Sequence, residues 1–260
     1  MSELDDDTAV SPVAEGVWEG AVRPRWSVGS APNGGYLLAL AARAVLAAAE
    51  RPDPLSITAH YVSPPEPGPL RVAVETVRSG RRYSTLAAAL RQGERERVRV
   101  LVAVGDLTAM QGPTRVAAEP PATPGPAECV ELSDGGWVPE VARRYELRLA
   151  PSTGERPVER PYEVSGWIRL ADGAPPSVLA LLAFADAFPP AVLGPLDLGW
   201  VPTVELTVHV RARPAPGWVL GRFTTRFLVD GLLEEDGELW GEDGRLLAES
   251  RQLALVLPRR

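Results

Sequence analysis

One order of elements occurs twice along this chain, and it limits the fold more than any other feature of the sequence. Residues 33–50 begin with Asn-Gly-Gly-Tyr and continue as a run rich in Ala and Leu, interrupted by Arg43. These residues favour helix and are apolar on almost every side, so the run predicts a buried helix. Strand-like segments separated by turn residues follow at residues 55–62, 70–77, 82–91 and 97–104.

The second half of the chain repeats this order. An apolar run at residues 178–188 precedes strand-like segments at residues 201–213, 219–229, 234–240 and 246–257. A shift of 151 residues brings Gly80 onto Gly231 and Gly93 onto Gly244, which are turn positions in both halves. A further strand candidate precedes each apolar run, at residues 18–26 and 163–169.

The repeated order predicts a fold. A helix that is apolar on every side must be enclosed by other structure. A curved antiparallel sheet wrapped around one helix does this, and strand pairing between two such halves makes the sheet continuous. We therefore predict an α+β protein with a double hot dog fold, in which a continuous antiparallel sheet wraps two long central helices. Two independent α+β domains are the alternative.

The two halves are separated by a Pro-rich stretch at residues 112–127, which predicts an extended linker. We assign an N-terminal hot dog domain to residues 1–111, a linker and connecting segment to residues 112–160, and a C-terminal hot dog domain to residues 161–260. Residues 137–149 are either a covering strand or a partner surface. The acidic N-terminus lacks a secretory signal pattern, and no apolar run could span a bilayer, so we expect a cytoplasmic protein.

Charge and residue usage exclude several function classes. The net charge of −7 argues against non-specific nucleic-acid binding, which requires an excess of basic residues. All 27 basic residues are Arg, so a Schiff-base lysine and a P-loop lysine are excluded. A single cysteine, Cys129, excludes an intrachain disulfide, and we interpret the only histidines, His60 and His209, as structural. We expect neither a metal nor a cofactor.

A few polar residues in apolar surroundings are candidates for chemistry. Asp186 lies within the second apolar run, where burial should raise its pKa towards the range of a general base. Gln252, in the last strand, carries an amide that can hold a water or donate to a developing oxyanion. At the first helix start, Gly34 and Gly35 allow a ligand to approach closely, and the N–H groups of Gly35 and Tyr36 are candidate oxyanion donors.

Taken in order, these motifs resemble the acyl-CoA thioesterase II family. In the first half the resemblance lies in Asn33-Gly34-Gly35-Tyr36, in His-Tyr-Val-Ser-Pro at residues 60–64, and in Gly80-Arg81-Arg82 with Thr85. In the second half it lies in Phe184-Ala185-Asp186, in residues 203–214, and in Glu-Ser-Arg-Gln at residues 249–252. The resemblance covers most of the chain from residue 18 to residue 257. It implies hydrolysis of acyl-CoA-type thioesters by water, and homo-oligomers of double hot dog units.

The resemblance also implies a set of site residues. In that family an Asp, a Thr and a Gln of the C-terminal half surround a hydrolytic water, and Asp186 and Gln252 match the Asp and the Gln. Counting without gaps puts Arg226 at the position of the Thr. Thr225 is adjacent but would need a bulge to face the site, and Thr224 shares the face of Arg226.

Three arginines are candidates for contact with the phosphates of CoA. Arg78, Arg81 and Arg82 flank a glycine in a predicted hairpin, where solvated turn arginines are the alternative.

Two functions other than hydrolysis also stay open. A non-catalytic acyl-binding protein on the same scaffold is favoured by Arg226 in place of Thr. An acyl-CoA dehydratase or hydratase pairs an acid with a His or Glu near the helix, and neither apolar run carries such a residue beside Asp186. No Gly-x-Ser-x-Gly motif supports a serine hydrolase.

Overall fold

A computed structural model of the chain describes residues 1–49, 51–132, 138–151, 161–193 and 200–257. The N-terminal helix α1 spans Glu3–Asp7, and the long helix α2 spans Gly34–Ala48. The strands of the first half are β1 (Ser11–Ala14), β2 (Val17–Val22), β3 (Ser27–Val28), β4 (Ala31–Pro32), β5 (Asp53–Tyr61), β6 (Gly68–Arg78), β7 (Ser84–Gln92) and β8 (Arg95–Gly105).

In the second half, the described residues include one short α-helix, α3, at Val178–Phe184. Its strands are β9 (Val130–Glu131), β10 (Tyr145–Leu149), β11 (Tyr162–Leu170), β12 (Thr203–Val210), β13 (Val219–Thr225), β14 (Leu228–Val229), β15 (Leu232–Gly241) and β16 (Leu246–Leu255). The predicted strand segments of both halves are therefore present, including the two candidates that precede the helices.

One antiparallel sheet joins the two halves. Its order is β1-β2-β6-β7-β8-β5-β12-β16-β15-β13-β11-β10-β9, and β14 pairs with β15. Reading outward from the central β5–β12 pair gives the same succession of strands on both sides, which is the duplication seen in the sequence. The double hot dog prediction is confirmed, and the alternative of two independent domains is wrong.

Helix α2 is enclosed by this sheet, as its composition predicts. Ten of its residues are buried, and Tyr36, Leu38 and Leu40 are wholly inaccessible to solvent. Asn33 caps the helix, because its side-chain oxygen accepts a hydrogen bond from Tyr36 N–H at 2.9 Å. The charge of Arg43 is met by Asp5 of α1 at 2.5 Å.

Helix α3 is shorter than predicted, which moves Asp186 off the helix. The helix ends at Phe184, with Ala185 as its C-cap, and residues 185–187 form a turn. The following Pro189 and Pro190 explain this end, since the residue before a proline is disfavoured in helical conformation and proline lacks the N–H that continues a helix. The second long helix of the prediction is therefore wrong in length, and Asp186 lies in the turn that follows it.

The connecting region lies at the outer edge of the second half. Within residues 110–125, all of which the structure describes, there is neither helix nor strand. Strand β10, residues 145–149 of the 137–149 segment, pairs with β11 on one side and with the short edge strand β9 on the other. Residue 137 lies outside the described residues. In the described part of the chain, no helix is both long and apolar enough to cross a membrane.

One row of inward-facing residues crosses the eight central strands of the sheet, from β6 to β13. Residue pairs connect this row without a break from β6 through β7, β8, β5, β12 and β16 to β15. The pairing of Thr224 with Asp236 brings Thr225 opposite Glu235 and extends the row to β13. The row consists of Val74, Ala88, Val100, Ala59, Leu206, Gln252, Glu235 and Thr225.

Candidate active site

A cavity of about 540 Å³ opens at the start of α2, between the two halves of the molecule. It is bounded by the ends of β4 and β5, the turn after α3, the start of β12, and the inward faces of β13, β15 and β16. Its apolar walls include Val28, Leu37, Phe188, Leu193, Trp200, Val201 and Phe223. Its polar groups belong to Asn33, Tyr61, Ser63, Asp186, Thr203, Glu235 and Gln252. Apolar walls with a few polar groups are typical of a site for a small organic ligand.

The carboxylate of Asp186 is held against the first turn of α2. Its Oδ2 atom accepts hydrogen bonds from Asn33 Nδ2 at 2.8 Å and from Gly35 N–H at 3.0 Å, and Asn33 Nδ2 also donates to the Asp186 carbonyl at 2.7 Å. Asn33 therefore caps the helix with its oxygen and binds Asp186 with its nitrogen. The positive end of the α2 dipole adds to the stabilisation of this anion.

Two glycines make this approach possible. A Cβ atom on Gly35 would lie 2.8 Å from the Ala183 carbonyl oxygen and 2.9 Å from Asp186 Cβ. A Cβ atom on Gly34 would lie 2.9 Å from the Tyr61 hydroxyl and 3.0 Å from Asp186 Oδ2. The glycines of the Asn-Gly-Gly motif thus serve contact between the two halves of the protein rather than a positive φ angle.

Burial raises the pKa of Asp186 from 3.8 to about 6. Loss of hydration is the largest cause, and the hydrogen bonds from Gly35, Gly34 and Asn33 oppose it. A carboxyl group with this pKa is ionised at neutral pH and can accept a proton, as a general base requires. The tyrosine hydroxyl of Tyr61, which donates to the Gly34 carbonyl at 2.8 Å, lies beside it at the cavity wall.

Gln252 and Thr203 form a second polar pair in the same cavity. Gln252 Nε2 donates to Thr203 Oγ1 at 2.5 Å, and the two side chains come from the neighbouring strands β16 and β12. Thr203 was not among the predicted site residues. It begins a strand, and its partner is 49 residues away, so only the strand register reveals the contact.

The two threonines that the sequence suggested do not line the cavity. Thr225 is buried on the inner face behind Glu235 and is reached by a regular strand without a bulge. Thr224 lies on the opposite, outer face, as does Arg226, which binds Glu234 at 2.8 Å and Asp236 at 2.7 Å. Neither Thr224 nor Arg226 lines the cavity, and the threonine hydroxyl inside it is that of Thr203.

Glu235 is an acid of this cavity that the sequence did not reveal. Its side chain is 6% exposed, and its Oε2 atom accepts a hydrogen bond from Ala191 N–H at 2.7 Å. Burial raises its pKa from 4.5 to about 7. In the sequence it stands between two acidic neighbours, Glu234 and Asp236, and the three together look like an exposed strand edge.

The predicted oxyanion donors at the helix start are already engaged within the protein. Gly35 N–H donates a hydrogen bond to the Asp186 carboxylate, and the backbone N–H of Gly34 also lowers the pKa of this group. Tyr36 N–H donates to Asn33, and the Tyr36 hydroxyl is buried against the carbonyls of Asp7 and Ala21. The helix start therefore binds the carboxylate of Asp186, at the place where the sequence predicted donors to the thioester oxyanion.

The arginines predicted to contact phosphate lie far from the cavity. Arg78, Arg81 and Arg82 surround the β6–β7 hairpin, which faces the Asp53 end of β5 through the pairing of Ser84 with Val104. The cavity lies at the Tyr61 end of β5, about 26 Å away for a strand of this length. The structure thus separates the two features: Arg78 ends β6, Arg81 and Arg82 lie in the loop that follows, and none of the three lines this cavity.

Comparison with known proteins identifies the family of this chain. The profile of the acyl-CoA thioesterase N-terminal domain matches residues 22–107, and that of the acyl-CoA thioesterase C-terminal domain matches residues 113–256. The chain belongs to the acyl-CoA thioesterase family. Within this family it is 30% identical over 266 residues to the uncharacterized protein Rv0499 of Mycobacterium tuberculosis, a match that covers 92% of this chain and 91% of the relative.

Solved structures share the fold of this acyl-CoA thioesterase family member over its whole length. A protein of Thermobifida fusca YX, provisionally named a thioesterase II, is 32% identical, has a TM-score of 0.89, and matches 99% of this chain and 98% of its own. Acyl-CoA thioesterase II TesB2 of Mycobacterium marinum is 15% identical with a TM-score of 0.80, over 98% of both chains. The second likeness shows the fold alone.

Proposed function

We propose that this protein hydrolyses acyl-CoA-type thioesters by direct attack of a water molecule that Asp186 activates. The observation that carries the proposal is the carboxylate of Asp186, whose pKa is raised to about 6, in a largely apolar cavity that also contains the Gln252–Thr203 pair. The membership of the acyl-CoA thioesterase family supports a thioester as the substrate.

Asp186 acts as the base. Above pH 6 it is ionised and takes a proton from the attacking water, so turnover rises with pH through this value. Asn33 and Gly35 fix the position of its carboxylate, which leaves the other oxygen, Oδ1, to face the water. No covalent intermediate is required, because the thioester carbonyl is electrophilic enough for direct attack.

Gln252 and Thr203 act on the oxygen atoms of the reaction. An amide nitrogen carries two N–H groups, and one of those on Gln252 is used by Thr203. The Thr203 hydroxyl accepts this bond, so its own proton is directed to another acceptor. The second N–H of Gln252 and the O–H of Thr203 then orient the water or stabilise the oxyanion, a role that removes roughly 3 kcal/mol from a barrier per donor.

The test measures thiol release from short, medium and long acyl-CoAs. We expect turnover by the wild type, a loss of about 10²- to 10⁴-fold in Asp186→Asn, and smaller losses in Gln252→Ala and Thr203→Val. Asp6→Asn and Gln111→Ala, which change the same residue types at exposed positions, should leave turnover unchanged.

Two outcomes would contradict the proposal. Tight binding of acyl-CoA without thiol release would favour a non-catalytic acyl-binding protein. That alternative rested on Arg226, whose side chain lies on the outer face of the sheet. Loss of the enoyl absorbance of a 2-enoyl-CoA without thiol release would instead favour a hydratase.

A further inference from the structure

The cavity contains a second acid, Glu235, which takes no part in the steps proposed for Asp186, Gln252 and Thr203. Strand alternation turns Glu235 inward, while its neighbours Glu234 and Asp236 face outward. Those neighbours bind Arg226 and Arg251. Among the residues that the structure describes, Glu235 forms no ion pair, so its buried carboxyl has no cation to compensate a negative charge.

The groups around Glu235 favour its protonated form. Burial is the main cause of its raised pKa, and the negative charges of Asp186, from the turn after α3, and of Glu234, beside it on β15, act in the same direction. Ala191 N–H and the Thr225 hydroxyl, from the facing turn and from β13, lower the pKa. On the other side of Glu235 lies the neutral amide of Gln252, its partner in the sheet.

Asp186 and Glu235 thus share one cavity but have different surroundings. The anion of Asp186 receives hydrogen bonds from Asn33 and Gly35 and lies at the positive end of α2. The carboxyl group of Glu235 accepts a hydrogen bond from one backbone N–H, that of Ala191, and does not lie at the start of a helix. Two carboxyl groups whose environments separate their proton affinities are the usual arrangement of a catalytic base and a catalytic acid.

We propose that Glu235 is the general acid of this site and protonates the departing thiol, a role that rests on the proposed thioester hydrolysis. Water attacks the carbonyl carbon while Asp186 takes one of its protons. The tetrahedral intermediate then breaks its C–S bond, and the sulfur receives the proton of Glu235. The carboxylic acid and the thiol leave, and a proton passes from Asp186 through water to Glu235, which restores both groups.

The isosteric variant Glu235→Gln separates this role from a structural one. Gln keeps an oxygen that accepts the bond from Ala191 N–H but cannot donate a titratable proton. The matched control is Glu234→Gln, the same change on the outer face of the same strand. Each enzyme is assayed on an acyl-CoA and on an aryl thioester of the same acyl group, whose thiol is more acidic and leaves without protonation.

We expect Glu235→Gln to lower kcat on acyl-CoA by about 100-fold with little change in KM. On the aryl thioester we expect a loss below about tenfold, because a good leaving group needs no acid. The wild-type profile on acyl-CoA should rise through pH 6 and fall above about pH 7, and Glu235→Gln should lose the fall. Glu234→Gln should keep the wild-type kcat on both thioesters and keep the alkaline fall, shifted slightly to lower pH because the charge of Glu234 helps to raise the pKa of Glu235. Asp186→Asn should lose activity equally on both thioesters.

The outcomes distinguish the role of Glu235 from the function itself. Equal losses on both thioesters, or a wild-type profile with no fall at alkaline pH, would overturn the acid role and leave Glu235 as an anchor for the turn at Ala191. The wild-type profile gives this answer even if Glu235→Gln does not fold. A wild type that releases thiol from neither thioester would overturn the proposed function, and the acid role with it.

Discussion

The row of inward-facing residues that crosses the sheet differs between the two halves of the molecule. From the central pair of Ala59 and Leu206, the row can be followed outward in both directions through equivalent strands. On the N-terminal side it passes through Val100, Ala88 and Val74, and on the C-terminal side through Gln252, Glu235 and Thr225. Three apolar positions in one half thus correspond to three polar positions in the other.

This difference gives the two halves of a duplicated fold a different chemical character at equivalent positions. The apolar half of the row packs against α2 and contributes only to the core. The polar half is tolerated because its two larger polar side chains have partners: Gln252 binds Thr203, and Glu235 binds Ala191 N–H. The fold provides two equivalent halves of the row, and we propose that residues of the polar half take part in the chemistry.

The two helix starts differ in the same way. The start of α3 is capped within its own chain segment, since Ser177 Oγ accepts from Ala180 N–H at 3.3 Å. The start of α2 is capped by Asn33 but also binds Asp186, 151 residues away. The start of α3 thus binds a side chain of its own segment, and the start of α2 binds the carboxylate of Asp186 from the other half.

The strongest test of the comparison moves the acid into the apolar half. Ala88→Glu places a carboxyl at the position equivalent to Glu235, where the neighbours Val74 and Val100 offer neither donor nor cation. We expect a loss of about 3–5 kcal/mol in the free energy of unfolding, because a buried charge is left without a partner. Urea denaturation at neutral pH measures it.

The matched control is Ala87→Glu, one residue earlier on the outer face, which should cost less than about 1 kcal/mol. Equal stability losses at both positions would show that the inner row of the N-terminal half is no less tolerant of charge than the surface, and the comparison would then fail.

A smaller effect is expected from the helix start. Gly35→Ala introduces a Cβ atom at 2.8 Å from the Ala183 carbonyl oxygen, so the turn that carries Asp186 must move away from α2. We expect a loss of about 1–3 kcal/mol in stability, the usual cost of overpacking, together with reduced thioester turnover. Gly112→Ala, in the linker with nothing within 4 Å of its added Cβ, is the control. A Gly35→Ala variant as stable as this control would contradict the close approach.

The halves of the fold and one of the two acids could be predicted from the sequence. An apolar helix followed by alternating segments has few ways to bury its surface, and this pattern occurs twice. Asp186 stood out because a carboxylate is unusual in an apolar run. The error in its position came from Pro189 and Pro190, which end α3 earlier than the apolar run does.

The rest of the site depends on strand register, which the sequence does not contain. Glu235 lies among three consecutive acids, and only the pairing of β15 with β16 decides that it is the one facing inward. The Thr203–Gln252 bond likewise requires the register of β12 against β16. A count of residues along a single strand does not contain this register, so the sequence pointed to Thr224 and Thr225 and not to Thr203.

The most direct test of the account is the titration of Asp186 itself. Carbon-13 NMR of protein labelled at the Asp carboxyl groups, with Asp186→Asn to assign the signal, measures the pKa of this side chain. The account predicts a midpoint at about 6, well above the ordinary value of 3.8, because the carboxylate is enclosed between α2 and the turn after α3. A midpoint at or below 3.8 would show a hydrated carboxylate and would contradict the role of Asp186 as the base.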